Sequence, residues 1–562
     1  MVDQRQQDEE RFRERMRARR EGAAGTNGTG GHASDHPSHG EREGELPRIV
    51  IGVDEARVND EAVDALAGDR RIFQRSNQLV HVLRDQEKVE RVIRPPDAPR
   101  IAPLPNALLR EMMAANASWV LKRKGRGDEV YYVQAHPPDW SVCGVAARGQ
   151  WPELPYLEAV VESPTFRPDG SVLETAGWDA ATGLLFEPRI DFPAVSEKPS
   201  QIDAFVAAEK LLDLVNDFPF VKGDDGEHRA AWLASLLTPL ARFAFSGPAP
   251  LFLFTATAPG SGKSLLTSLV SEIVEGREMA RTPYPFKDEE MAKTITAVAL
   301  AGDRLMLLDN IASGFPFGCA SLDAALTATS WRARILGVSQ MTPALPLFTG
   351  WYASGNNIIL RGDIVRRVIP IRLEATEENP ELRHNFKYPD LIGHVRRNRA
   401  ELVIAALTIL RGYFAAGKPK TELTPLGSFE GWSDTVRASI FWATGRDPAA
   451  TRLELEEADE GRSTLATILE GWSQLPEGTG DGHTIAEALR LVRDDEFVAA
   501  PQYGVLRDAL MAISNEKKLP KPHQLGNLFR TFRGRILNGR SLKGHFDRDK
   551  FVYWKVVGER KK

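Results

Sequence analysis

The chain has 562 residues, 42% apolar and 27% charged, with a formal net charge of −5; this is too long for one hydrophobic core, so two to four domains are expected, and bulk positive charge is excluded as a route to nucleic acid, leaving only local basic surfaces. Cys143 and Cys319 lie far apart, with neither zinc-ligand spacing nor a disulfide framework, which suits a reducing cytosol. No apolar run approaches the roughly 20 residues of a membrane span and the charged N-terminus lacks a signal-peptide core, so a cytoplasmic protein with no membrane partner is expected.

Residues 1–46 read as a disordered tail. A mixed-charge polar run is followed by a Gly-, Ser- and His-rich one, and neither buries enough apolar surface to offset ordering entropy. Residues 47–200 read as an α/β or β-rich region. RIVIGV (Arg48–Val53) is a predicted strand, EAVDALAG (Glu61–Gly68) has helical spacing and a glycine stop, and NQLVHVLRD (Asn77–Asp85) alternates like a strand. Between Asp97 and Pro199 short strands alternate with proline-rich turns, and Asp169–Pro188 reads as a hairpin.

From Gln201 helical spacing runs through AFVAAEKLLDLVNDF and AAWLASLLTPLARFAF. Four continuous apolar runs follow: LFLFTAT (Leu251–Thr257), RLMLLD (Arg304–Asp309), LFTGWYAS (Leu347–Ser354) and RRVIPIRL (Arg366–Leu373). Such runs belong to strands buried on both faces, and helical stretches between them predict a doubly wound parallel sheet over 201–388. Residues 389–475 read as helical. A charged, Gly-rich break covers about 476–482, and 484–562 is basic and mixed α and β. No internal repeat is visible.

The chemistry is densest at TAPGSGKS (Thr257–Ser264), between a buried strand and the helix that opens at Ser264 and Leu265. Loop glycines let backbone N–H groups close around phosphate oxygens, and the helix N-terminus adds aligned dipoles. The stretch Thr257, Ala258, Pro259, Gly260, Ser261, Gly262, Lys263, Ser264 and Leu265 is therefore the expected ATP site. Lys263 would reach the β- and γ-phosphates and Ser264 would hold Mg²⁺. Thr257 stands where the motif has its first glycine. The bland alternative, a flexible Gly-Ser-Gly turn, does not account for Lys-Ser at the right offset with strand and helix flanks.

Asp309 ends the second apolar run, where a carboxylate can bind Mg²⁺, or where an aspartate can simply cap the next helix. Asn310 follows it and cannot accept a proton. A catalytic base must then come from elsewhere: Glu290, or Glu289, in KDEEMAK, unless that stretch is only a solvated helical face. Asn356, and secondly Asn357, can orient water beside a γ-phosphate, or form an Asn-Asn turn. Arg366 and Arg367 are candidates for an arginine acting on a neighbouring subunit's nucleotide, Arg361 equally, against the alternative of surface arginines flanking a strand.

The order TAPGSGKS, LLDN, WRARILG, SGNN, RGDIVRR resembles the superfamily 3 helicase-like AAA+ ATPases of phages, plasmids and integrated elements, often described as primase-helicases. FQRSNQLVHV (Phe73–Val82), Ser163–Leu185 and Ser428–Pro448 extend the resemblance over most of the chain from residue 48. It implies a P-loop AAA+ parallel-sheet core and a ring, usually hexameric, acting as an ATP-dependent DNA helicase in replication of a mobile element. It also implies a basic hairpin in the interval Ser330–Gly337, where Arg332 and Arg334 would contact the phosphates of single-stranded or forked DNA, with Trp331 stacking or packing in the core. Many relatives carry a Glu where this chain has Asn310. That departure keeps alive a second reading, an ATP-binding assembly switch or loader without unwinding activity. No Asp-x-Asp set marks a primase site before Gln201, so priming is expected from a separate primase or origin-binding partner. A primase module in 48–200 is the third reading, and primer synthesis by the chain would rescue it.

The C-terminal segment is the second candidate DNA surface. From Pro501 it holds 15 Lys or Arg against 5 Asp or Glu. LGNLFRTFRGRI (Leu525–Ile536) has helical spacing with Arg530, Arg533 and Arg535 outward. A hairpin-like stretch bearing Lys543 follows, so a winged-helix-like domain is expected. The alternatives are a wing that contacts protein, or a solvated basic face.

Overall fold

The computed structural model describes residues 46–558, except 85–91, 128, 222–225, 335–340, 376–379, 381–382, 454, 456–459, 477–481, 496–501, 514–517, 533–535, 538–539 and 547–551. The chain divides into two units at Pro47. Of the first unit only Leu46 and Pro47 are described, and the elements that follow belong to the second.

The four apolar runs become four strands of one five-stranded sheet, β1 (Leu251–Ala256), β3 (Leu305–Ile311), β4 (Gly350–Asn356) and β5 (Val368–Leu373), and the remaining strand, β2 (Ala280–Pro283), comes from a short stretch that the apolar pattern did not mark. The order in space is β2-β3-β4-β1-β5, and every pairing is parallel. Side chains alternate between two cores, as strand pleating requires. Phe252, Phe254 and Tyr352 enter one, while Leu251, Leu253, Met306 and Leu308 enter the other. Helix α1 (Lys263–Val274) covers the first face and α2 (Asp288–Ala301) the second. The predicted strand over 366–373 is shorter. Gly362, at φ 68°, and the buried Ile364 hold Arg366 and Arg367 in a 3₁₀ turn, Gly362–Arg367, before β5.

The helix Glu227–Ala241 is buried along nearly its whole length and contains Pro239. Proline has no N–H, so the Ser235 carbonyl one turn earlier loses its helical partner. The Tyr352 hydroxyl, from β4, donates to that carbonyl at 2.8 Å. This ties the helix to the sheet where its own ladder is broken. The helices Gln201–Asp213 and Arg399–Ala415 and the helical stretch from Glu430 to Thr444 pack into the same core as β1 and α1.

Residues 48–200 carry a core of their own, built around the helices Glu55–Leu66 and Asn106–Asn116. The first starts six residues before the periodic stretch at Glu61, because Asp54 caps it by accepting from the Arg57 N–H. Ser76 and Asn77, at φ 49° and 62°, turn the hairpin Phe73–Arg75/Gln78–Leu83. The buried Arg75 donates to the Ala299 and Leu300 carbonyls at the end of α2, and Arg94 pairs with Asp303. These contacts join the region to the sheet, and removing one partner would leave the other buried and unpaired. The stretch 169–188 makes only one of two short hairpins: Thr165–Phe166 pairs with Val172–Leu173, and Gly177–Asp179 with Leu184–Phe186.

Candidate nucleotide site and nucleic-acid surfaces

Parallel strands end on one edge, and the chain order reverses beside β1, which lies between β4 and β5. A crevice at such a switch point is where open α/β sheets bind ligands. The loop Thr257–Gly262 leaves β1 there and α1 begins at Lys263. Gly260 and Gly262 adopt φ 74° and 93°, whereas Thr257 is not among the positive-φ residues, so a side chain at that position costs no strain. A Cβ on Gly262 would sit 2.9 Å from the Phe218 ring. No side chain caps α1, so its first-turn amides donate to no capping side chain, the arrangement in which a helix N-terminus can receive an anion. Ser261 Oγ donates to the Ala258 carbonyl at 2.6 Å, tightening the loop. Thr257, Pro259, Ser264 and Leu265 are exposed.

Asn356 closes β4 directly beside Ala256, and Lys263 Nζ donates to its Oδ1 at 2.5 Å. Burial lowers the Lys263 pKa, and the nearby Asp309 charge opposes that shift. Ser354 Oγ donates to Asp309 Oδ1 at 2.7 Å and itself accepts from the Asn310 N–H at 3.3 Å. Two hydrogen-bonded pairs, Lys263–Asn356 and Ser354–Asp309, therefore lie at the ends of β1, β4 and β3, with the Lys263 and Asp309 charges close enough to interact. Ser354 was not singled out from sequence. Its signal is a lone hydroxyl two residues before Asn356, on the inward face of a buried strand. Asn357 has φ 45° and lies just past the strand.

Glu290 and Glu289 occupy the first turn of α2, which follows the strand β2 that pairs with Asp309 at Pro283. Glu290 accepts from Lys293 Nζ at 2.8 Å, and Glu289 is exposed. The three arginines differ sharply. Arg366 is 62% exposed and bound to Asp363. Arg367 is 11% exposed and clamped by Asp323 at 2.7 Å and Asp363 at 3.2 Å. Arg361 is exposed.

A cavity of about 430 Å³ adjoins the loop, bordered by Gly260, Gly262, Phe218, Leu265, Phe386 and Tyr388. Sequence reasoning missed it because its walls come from three distant segments. NDFPF and HNFKYPD, apolar-aromatic clusters within polar stretches, are the traces it leaves.

Beyond the sheet, Ser330–Trp331 pairs antiparallel with Leu345–Pro346, and Arg334 bridges to Met341. Arg332 and Arg334 are exposed on this hairpin. Trp331 packs on the core, with its indole N–H donating to Thr296 Oγ1 at 2.9 Å. At the C-terminus the helices Ile485–Asp495, Gly504–Ile513 and Pro522–Phe532 precede an antiparallel pair, Arg540–Phe546 with Val552–Val557. Trp472, Phe529 and Trp554 meet edge to face at its centre. Arg530 and Lys543 are exposed, and Lys543 lies opposite Lys555. Arg533 and Arg535 lie outside the described residues. Among the described residues no helix is long and apolar enough to cross a membrane.

No family model matches the sequence, and no curated protein does. Among solved structures, the apo C-terminal region of NrS-1 is 13% identical, with 77% of this chain and 93% of that chain covered and a TM-score of 0.36. A structure described as SCCmec type IV Cch, an active helicase, is 10% identical over 87% and 97% of the two chains, at 0.27. The JCV helicase is 12% identical over 47% and 71%, at 0.18. Likeness this distant assigns no family, so the function has to be read from the side chains themselves.

Proposed function

We propose that the chain is an ATP-hydrolysing DNA motor of the superfamily 3 helicase kind, built as a ring with nucleotide between subunits. The observation that carries this reading is the pair of hydrogen bonds Lys263–Asn356 and Ser354–Asp309 at the switch point, beside an uncapped helix N-terminus. Loop amides and Lys263 hold the β- and γ-phosphates. The apolar cavity beside Gly260 takes the base, against Phe218 and Phe386. The donor set suits Mg²⁺, a hard cation that takes oxygen ligands. Ser264 offers an exposed hydroxyl, and Asp309 Oδ2 takes no hydrogen bond from a described residue. The ion, when bound, neutralises phosphate charge. Asn356 orients the attacking water, and Glu290 or Glu289 takes its proton.

Of the adjacent pair Arg366 is the better trans-acting arginine, since its guanidinium is exposed while that of Arg367 is clamped, and Arg361, also exposed, is an equal candidate. Arg332 and Arg334 grip a single strand by its phosphates, which needs no sequence code. Arg530 and Lys543, with Arg533 and Arg535, serve a winged-helix contact. An assembly switch is the second reading, favoured by the exposed amide of Asn310 where a carboxylate would activate water. Strand displacement on a forked duplex separates the two. Unwinding that vanishes in Lys263→Ala supports the motor, and assembly on ATP without unwinding supports the switch. ATP and Mg²⁺ retained equally by wild type and Lys263→Ala would overturn both.

A further inference from the structure

The region 48–200 contains a feature that the nucleotide site does not use. Strand Ser118–Lys124 pairs parallel with Arg48–Ile51 on one side and antiparallel with Val130–Gln134 on the other. The sheet is covered where Ile49, Trp119 and Val120 are buried. Beyond Leu121 the paired strands are exposed, and residues 122–124 with Val130–Gln134 form a two-stranded finger. Every residue of Val130–Gln134 is exposed: Val130 41%, Tyr131 49%, Tyr132 46% and Val133 43%. Since neighbours in a strand point to opposite faces, both faces of the finger are wet and both carry apolar side chains. An uncovered edge strand of this kind is a liability that soluble proteins ordinarily blunt.

The partner strand explains which ligand suits it. Lys122 lies opposite Tyr132, Arg123 opposite Tyr131, and Lys124 opposite Val130. Three successive cations therefore alternate faces, each beside an aromatic or apolar side chain. Arg48 adds a fourth, with its guanidinium 5.5 Å from the Tyr132 ring centroid, and Arg126 in the turn adds a fifth. None of the five is in an ion pair with a described residue, and all are exposed. Stacking platforms interleaved with exposed cations are what a single strand needs: bases lie on the rings and phosphates on the ammonium and guanidinium groups. Addition of a protein strand would use the backbone edge of Val130–Gln134 and has no need of five cations.

We propose that this finger binds single-stranded nucleic acid, as a site separate from the motor hairpin at Arg332 and from the C-terminal domain. The site stands whether or not the ATPase reading holds. The test uses the full chain without nucleotide and a fluorescent oligothymidine, followed by anisotropy across a salt series. Tyr131→Ala/Tyr132→Ala weakens binding by roughly tenfold or more, with the salt slope unchanged. Lys122→Ala/Arg123→Ala/Lys124→Ala weakens it and lowers the slope by about 2, three phosphates at ~0.7 each. An iodouracil-substituted strand crosslinks within 130–134. Circular dichroism and melting stay at wild type in both variants, because the changed side chains lie beyond the core. The proposal fails if both variants keep wild-type affinity and no crosslink falls on the finger. It also fails if the tyrosine variant keeps DNA affinity but loses self-association in sedimentation, which makes the edge a protein-docking strand.

Discussion

Ser354→Ala isolates the group that aims Asp309. Ser354 is buried and makes two contacts at once, donating to Asp309 Oδ1 at 2.7 Å and accepting from the Asn310 N–H at 3.3 Å. Alanine leaves the backbone and packing almost unchanged and removes both. A hydrogen bond to a charged group contributes about 1.5–3 kcal/mol, which corresponds to roughly 10–150-fold in a rate or affinity. That range overlaps the ~10–100-fold effect of losing an outer partner of a metal-binding side chain. The expected result is ATP turnover reduced by about that factor, with a raised Mg²⁺ requirement that excess Mg²⁺ partly rescues. Asp309→Asn, which alters the carboxylate itself, is not rescued. The assay is steady-state ATPase at saturating ATP across a Mg²⁺ titration. Turnover and Mg²⁺ dependence unchanged in Ser354→Ala would show that Asp309 does not act through this contact, and the proposed metal role of Asp309 would lose its geometric support.

Four further outcomes follow from the same geometry. Lys263→Met abolishes ATP retention yet leaves the thermal midpoint equal or higher. Burial holds the folded pKa of Lys263 below its unfolded value, so the native state disfavours the ammonium; the same sign makes ATP affinity fall with rising pH before the usual lysine range, as isothermal titration at several pH values would reveal. Glu290→Gln or Glu289→Gln lowers turnover by ~10²–10⁴-fold with ATP retention intact; if neither changes turnover, the base lies elsewhere. Arg366→Ala lowers ATPase by ~10³-fold or more without changing stability, whereas Arg367→Ala, which strands Asp323, costs about 1–3 kcal/mol in denaturant titration. Tyr352→Phe leaves the Ser235 carbonyl without a donor beside Pro239, lowering stability by about 1–3 kcal/mol at unchanged ATPase activity.

The sheet and the glycine-bearing loop between β1 and α1 were legible because their signals are local. A strand buried on both faces must be continuously apolar, and a loop that wraps an anion must place glycine where φ is positive, as at Gly260 and Gly262. Thr257 broke the pattern only on paper, since its backbone asks for no glycine. What stayed hidden depends on pairs distant in sequence. The cavity wall joins Phe218 to Phe386, and Tyr352 satisfies a carbonyl freed by Pro239. The finger at Val130–Gln134 read as one more short strand, because nothing in its own residues says that both faces are left uncovered.

Asn310 shows how a departure in sequence acquires a structural cause. From Leu308 to Ile311, β3 advances three residues while β4 advances two, from Ala353 to Gly355. The extra residue makes a bulge, which bends a strand and re-aims a side chain. Asn310 takes the left-handed φ of 54° there, a conformation that asparagine tolerates and that most other side chains pay for with roughly 1–2 kcal/mol. Gly355 permits the close approach, since a Cβ on it would lie 2.7 Å from the Ile311 carbonyl. The bulge thus brings the Asn310 N–H and the Asp309 carboxylate onto one hydroxyl, Ser354. A glutamate at 310 would have to adopt the same strained backbone, with its side chain directed by the bulge and not by the nucleotide. The residue at 310 is therefore coupled to the positioning of Asp309, and on the proposed ATPase reading this is why the base is sought on another element, the first turn of α2.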